Sequence, residues 1–258
     1  MGMLSSENEV AKKANWSAAD FYKEAKAALN EKNYIHAIEL YEDLESRYPF
    51  GEYAQQAQID LAFAYYKNDN FEAAIATADR FIRIHPRHKN VAYIYYLKGL
   101  VNFNRGIGLL ERYLPTDKSQ RDLGTAVESL DDFATLIRRF PQSRYVADSK
   151  QRIIAVKSIL ALHNLNVAHY YMRRQAYIAV INRSKRIIEE YERTTSVPRA
   201  LLLMVDAYQH IGMNDLAADA QRIYDLNYPD GMPPMYNPDF TYKPTVSEKI
   251  WEYLELDK

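Results

Sequence analysis

Polar and apolar positions along this chain repeat as a block. Asn33-Tyr34-Ile35-His36-Ala37-Ile38 returns as Asn70-Phe71-Glu72-Ala73-Ala74-Ile75, a shift of 37 residues, and the same shift carries Arg47-Tyr48-Pro49 onto Ile84-His85-Pro86. A shift of 106 carries Ala62, Tyr65 and Phe71 onto Ala168, Tyr171 and Tyr177. Pro141 and Pro229, each preceded by an aromatic residue, close two further segments. Self-similarity at this period marks stacked supersecondary units. The register divides the chain into five helix-turn-helix pairs.

The residue types explain why pairs would form. A small residue in the first helix (Ala25, Ala62, Gly99, Ala168) lets a second helix approach closely, and twelve positions later Ala37 and Ala74 supply the other side of the contact. Proline after each second helix cannot donate a helical N–H and turns the chain into the next pair. One pair is too small to bury its apolar stripe, so neighbours stack and share a core. The expected fold is all-α, a right-handed α-solenoid of five tetratricopeptide-type repeats.

Two units depart from the pattern. Unit four has Glu192 in place of the closing proline and Val180 in place of the small residue. Unit three separates Gly99 from Ser129 by thirty positions, which implies an insertion. The expected organisation is a tether over 1–16, amino-terminal repeats over 17–103, the insertion over 104–121 and carboxy-terminal repeats over 122–229. A Pro- and aromatic-rich extension ending in a short helix follows over 230–258. Loops as long as the insertion are either functional or simply tolerated, and both readings stand.

Composition narrows the function. A formal charge of −1 gives no reason to expect nucleic acid. No apolar run approaches the ~18 residues of a membrane span. With no Cys, thiolate metal sites and Cys nucleophiles are excluded. His85 and His88 flank Pro86-Arg87 with no carboxylate at metal-ligand spacing, and His163 and His169 fall on different helix faces. No phosphate loop or nucleophile elbow occurs. The expectation is a protein without cofactor or metal that holds other proteins.

Two surfaces are candidates. First helices of stacked pairs line one face, and positions counted from their small residues place Tyr22, Phe63, Tyr66, Tyr93, Tyr96 and Phe103 there. Such an aromatic face would capture an extended peptide, unless the rings pack between repeats. Tyr65 and Tyr171 read as packing residues. The second surface comes from charge: Arg138 to Arg186 holds eleven Lys or Arg against the single acid Asp148, whereas Ile187 to Lys258 holds thirteen acids against six bases. Segregation of this kind suggests an acidic partner, or internal pairing of the bases with the acidic carboxy-terminal segment.

The run Arg47-Tyr48-Pro49-Phe50-Gly51, then Leu61-Ala62-Phe63-Ala64-Tyr65-Tyr66-Lys67-Asn68, Asp79-Arg80-Phe81-Ile82-Arg83 and Ala179-Val180-Ile181-Asn182-Arg183, resembles the BamD family, also called ComL or YfiO. These are lipoproteins of the outer-membrane β-barrel assembly (BAM) complex. The resemblance covers about Ser17 to Pro229. It implies a protein on the periplasmic face of the Gram-negative outer membrane, docked to the POTRA domains of BamA and receiving unfolded outer membrane protein precursors. Other BAM lipoproteins, BamC among them, are implied as further partners. In that family the later repeats carry the BamA contact, and the Arg of the Val-Asn-Arg string is implicated; here it is Arg183, with Arg173, Arg174 and Lys185 in the same basic segment. The early repeats would receive the targeting segment of precursors, which typically ends in an aromatic. The family is acylated on an amino-terminal Cys that this chain lacks, so membrane attachment would rest on a lipid absent from it. The expectation is that leader and lipidated residue were removed ahead of Met1-Gly2.

A rival reading is a cytosolic tetratricopeptide co-chaperone or adaptor that grips protein carboxy-termini with a basic clamp. At the clamp positions stand Tyr22, Lys26, Asp60, Tyr93 and Leu97, so most of the clamp is missing.

Overall fold

In the computed structural model, residues 13–111 and 123–234 are described, with backbone only for 106–111. Ten helices lie among them, and no strand. They fall into five consecutive pairs: α1 (Ala18–Asn30) with α2 (Tyr34–Arg47), α3 (Glu52–Lys67) with α4 (Phe71–Ile84), α5 (Val91–Glu111) with α6 (Gly124–Arg139), α7 (Val146–Arg173) with α8 (Tyr177–Glu190), and α9 (Val197–His210) with α10 (Asn214–Asn227). This is the all-helical repeat architecture read from the sequence. The chain forms two compact units, one through Lys157 and one from Ser158, so α7 contributes to both.

The turn inside a pair has one recurring form. Lys32, Asp69, Gln175 and Gly212 all adopt left-handed backbone, with φ between 57° and 75°. In each case the next N–H reaches back five residues: Asn33 to the carbonyl of Ala28, Asn70 to Tyr65, Ala176 to Tyr171 and Met213 to Tyr208, at 2.9–3.0 Å. Such a Schellman closure satisfies carbonyls that the end of a helix otherwise orphans. In the first two pairs the same Asn then caps the second helix, its side chain accepting from the N–H of His36 or Ala73. The repeated Asn of the sequence is thus both the end of one turn and the start of the next helix.

The turn between pairs also recurs. Second helices end on Tyr48, His85, Phe140, Tyr191 and Tyr228, each leaving the helical region with φ from −121° to −133° and ψ from 38° to 67°. A residue before proline is disfavoured in the α region, and Pro49, Pro86, Pro141 and Pro229 follow four of the five. Three junctions share two successive tight turns: His85 to His88 to Val91, Phe140 to Ser143 to Val146, and Tyr191 to Thr194 to Val197. Unit four keeps this path without a proline. Glu192 stands in its place, Arg193 takes φ 66°, and the Thr194 hydroxyl donates to the Tyr191 carbonyl at 2.8 Å.

Within the pairs the small residues are closed to solvent: Ala25, Ala37, Ala62, Ala74, Ser129 and Ala168 are all fully buried. The tightest contact is at Gly99, where an added Cβ would lie 2.5 Å from the Phe133 ring. The Ser129 hydroxyl donates to the Gly99 carbonyl at 2.9 Å across the same seam. α5 continues to Glu111, into the segment expected to begin the insertion; residues 112–122 lie outside the described residues, as do the tether through Lys12 and the extension from Met235, with its expected short helix.

Two glycines carry opposite kinds of constraint. Gly99→Ala should gain about 1 kcal/mol of helix propensity but force the buried Phe133 ring aside, which costs about 1–3 kcal/mol. Gly212→Ala meets no neighbour within 4 Å, so only its left-handed backbone resists, at about 1–2 kcal/mol. Denaturant unfolding should show a net loss in both. Wild-type-like stability of Gly99→Ala would mean the seam is looser than described.

Candidate functional site

The first helices of the amino-terminal unit are tied by tyrosine hydroxyls. Tyr22 and Tyr96 stand three residues before Ala25 and Gly99, equivalent places in two repeats. The Tyr22 hydroxyl donates to Asp60 on α3 at 2.9 Å, and the Tyr96 hydroxyl donates to Asp148 on α7 at 2.6 Å. Tyr66 on α3 accepts from the Asn104 amide on α5. Asp60 is fully buried, a state a carboxylate tolerates only when its oxygens are occupied. Besides Tyr22 it accepts from Lys26 (3.3 Å), Tyr41 (3.3 Å) and Gln56 (3.2 Å). Asp148 is held likewise by Arg152 at 2.6 Å, whose guanidinium lies 5.6 Å from the Phe103 ring.

These ties decide how much of the expected aromatic face meets solvent. Phe63 (4% exposed), Tyr93 (3%) and Tyr96 (0%) are buried in the free chain. Tyr96 stacks on Tyr145 with centroids 4.8 Å apart, and Tyr93 packs on the same ring at 5.7 Å. Tyr22, Tyr66 and Phe103 are half-buried. Tyr53, 46% exposed and 5.6 Å from Tyr22, extends the accessible part of the face. Sequence spacing placed these rings on one side but passed over Asp60 and Asp148 as their anchors; the signal was a lone acid two residues before Ala62 and another alone in the basic segment. Tyr65, expected to pack, is half-buried and donates to Glu42.

The second surface lies in the carboxy-terminal unit. Arg183 on α8 is half-buried, and its Nη1 donates to Asn164 Oδ1 on α7 at 3.1 Å. Arg183 borders an open depression of about 390 Å³ together with Tyr171, Ala179, Asn182 and Arg186. Among the described residues no carboxylate forms an ion pair with Arg183. The other bases differ in their commitments. Lys185 and Arg186 pair with Glu189 (3.7 Å) and Glu190 (2.9 Å) one turn on, as the internal-pairing alternative foresaw for part of the set. Arg174 lies over the Tyr170 ring at 4.9 Å, and Arg173 is exposed. In the other unit Arg139 donates to the Tyr95 hydroxyl and Arg152 belongs to Asp148. The bases of this segment therefore differ in what holds them. His85 and His88 both pack against Phe81, at 5.1 and 5.2 Å. No helix among the described residues is long and apolar enough to cross a membrane.

Comparison with known proteins adds the lineage. Residues 14–223 match the family described as YfiO, outer membrane lipoprotein. A protein of Neisseria meningitidis named outer membrane protein assembly factor BamD is 43% identical over 215 residues, 83% of this chain and 80% of that one. The proteins of that name from Vibrio cholerae and Haemophilus influenzae are 35% and 30% identical, over 81% and 86% of this chain and 87% and 85% of their own lengths.

The hydroxyl ties have an alkaline signature. Burial, and then the neighbouring carboxylates, push the Tyr22 and Tyr41 hydroxyls well above the ordinary tyrosine value of about 10; Tyr93 and Tyr96 are raised chiefly by burial. An unfolded chain would release these protons near pH 10 while the folded chain keeps them, so stability is full below about pH 10 and declines as pH rises above it. Absorbance titration of tyrosinate should show the exposed rings ionising first and the buried set ionising only together with loss of helix. Smooth ionisation of every tyrosine with helicity intact would refute the ties.

Proposed function

The chain belongs to the YfiO family of outer membrane lipoproteins, the family of the BamD assembly factors, and from that premise we propose that it is a non-catalytic scaffold for outer membrane protein assembly with two separate protein-docking faces. The carboxy-terminal unit docks BamA through its POTRA domains. Arg183 makes the central contact, and Arg173, Arg174 and Lys185 steer an acidic surface toward it. The observation that carries this reading is a half-buried guanidinium on an open depression, oriented by a neutral amide and ion-paired with no described carboxylate. A charge in that state gains most from an incoming carboxylate, because its own desolvation is already partly met.

The amino-terminal unit receives the targeting segment of unfolded precursors. Its accessible contacts are Tyr22, Tyr66 and Phe103. Phe63, Tyr93 and Tyr96 stand behind them as support, and would join the contact surface only if the peptide displaced their neighbours. Attachment to the outer membrane is through an amino-terminal lipid, and the other BAM lipoproteins, BamC among them, are partners of the assembled complex. The co-chaperone reading gains nothing from the geometry. Lys26, the basic residue at a clamp position, has its ammonium on buried Asp60 with only 17% of its side chain exposed.

Two measurements test the two faces independently. Photocrosslinkers at Tyr66 and Phe103 should capture a peptide from a precursor's carboxy-terminus, whereas one at exposed Ile35 on α2 should not; equal capture everywhere would remove the aromatic face. On the other side, Arg183→Ala should weaken binding to BamA's POTRA region about tenfold or more, roughly 1.4 kcal/mol, and rising salt should slow association of the wild-type chain. A salt-independent on-rate together with unchanged affinity in Arg183→Ala would end the docking proposal.

A further inference from the structure

The residue that faces Arg183 across the helix pair is Asn164, and its placement is unusual for its type. It sits well inside α7, 4% exposed, where an apolar side chain would cost nothing to bury. An amide there must satisfy both ends. Its Nδ2 donates to the Leu160 carbonyl one turn back at 2.8 Å. That bond fixes the amide plane and leaves Oδ1 directed across to α8, where Arg183 Nη1 donates to it at 3.1 Å. The chain is Leu160 carbonyl, Asn164 amide, Arg183 guanidinium: rigid helix backbone at one end, a long charged side chain at the other.

We propose that Asn164 is a positioning residue for Arg183, holding the guanidinium over the depression in the free chain so that partner docking does not have to order it. The inference rests on the docking role proposed above for Arg183. A free arginine has many rotamers to lose on binding, and fixing one in advance removes that cost. The acceptor is neutral, so the guanidinium is oriented while its full charge remains available. The nearby cations lack this arrangement. Arg186 is held by Glu190, a charge of opposite sign, and Lys185 by an exposed pair with Glu189 in which both side chains are more than half exposed, where ion pairs contribute little.

The test uses the full chain and the POTRA region of BamA, with two readouts. Nitrogen-15 relaxation of the Arg183 side chain in the free chain should show an ordered Nε that becomes mobile in Asn164→Leu. Binding of Asn164→Leu should weaken about three- to tenfold, with dissociation faster, as loss of a preorganising contact to a charged group predicts. Asn164→Asp, which keeps an acceptor for Arg183 but loses the donor to the Leu160 carbonyl, should restore Arg183 order only in part. In the Arg183→Ala background Asn164→Leu should have no further effect on binding, because a general loss of fold would add to the defect. If Arg183 is equally mobile in wild type and Asn164→Leu, the positioning role is overturned whatever the partner does. If Arg183 order depends on Asn164 but neither Asn164→Leu nor Arg183→Ala alters binding, the docking reading fails and the positioning of Arg183 serves no contact with BamA.

Discussion

Close approach of two helices through a seam of small side chains is the constraint from which the remaining arrangement follows. Ala25 with Ala37, Ala62 with Ala74, and Gly99 with Ser129 are fully buried or in direct contact with a ring that fills the missing Cβ position. Helices so placed bury their apolar stripes on each other and on the next pair, which neither could do alone. The seam also fixes helix rotation. Once Ala25 and Gly99 point at their second helices, the residue three positions earlier in each case, Tyr22 or Tyr96, stands on the side facing the next first helix. Its hydroxyl then needs an acceptor, and Asp60 and Asp148 provide it.

Those ties consume much of the polar chemistry of the amino-terminal unit. Asp60 with four donors and Asp148 with Tyr96 and Arg152 are closed networks, and a buried network is stabilising only when every member is satisfied. On the proposed peptide face Lys26, Asp60, Asp148 and Arg152 are already engaged, which leaves ring surface at Tyr22, Tyr53, Tyr66 and Phe103. A peptide bound there would be read by its apolar and aromatic side chains rather than by its charge. In the carboxy-terminal unit the half-buried guanidinium of Arg183 meets an amide in place of a carboxylate, and its charge is not paired with any described carboxylate.

The sequence carried the architecture because the repeat is written in residues with local mechanisms. Prolines after the second helices, asparagines at 33 and 70 and the small seam residues each fix backbone or spacing by themselves. Less legible were features that depend on what lies across a contact. Lys32, Asp69 and Gln175 take a left-handed conformation that their residue types do not announce, whereas Gly212 does. Counting from the seam grouped Tyr93 and Tyr96 with the expected peptide face but could not tell a ring on a surface from one covered by Tyr145, which arrives from the far end of the next turn. The basic run from Arg138 to Arg186 looked uniform because a linear count ignores partners. In space it divides into bases held by rings or carboxylates, such as Arg139, Arg152 and Arg186, others such as exposed Arg173, and one oriented by Asn164.

That division bears on how a cluster of like charges can act with specificity. Exposed Lys and Arg near the depression attract an acidic surface over about a Debye length, ~8 Å at physiological salt, and they do so whatever their rotamers. They speed encounter without choosing its geometry. Selection of one docked arrangement needs a charge whose direction is set before the partner arrives and whose surroundings exclude enough water for a matching carboxylate to count. Among the described bases of the carboxy-terminal unit, Arg183 meets both conditions through a neutral side-chain acceptor, and it does so because α7 spends a buried position on an amide. On the proposed docking role, the burden of burying that amide falls on the fold and its benefit on complex formation, the pattern expected where stability has been traded for a contact.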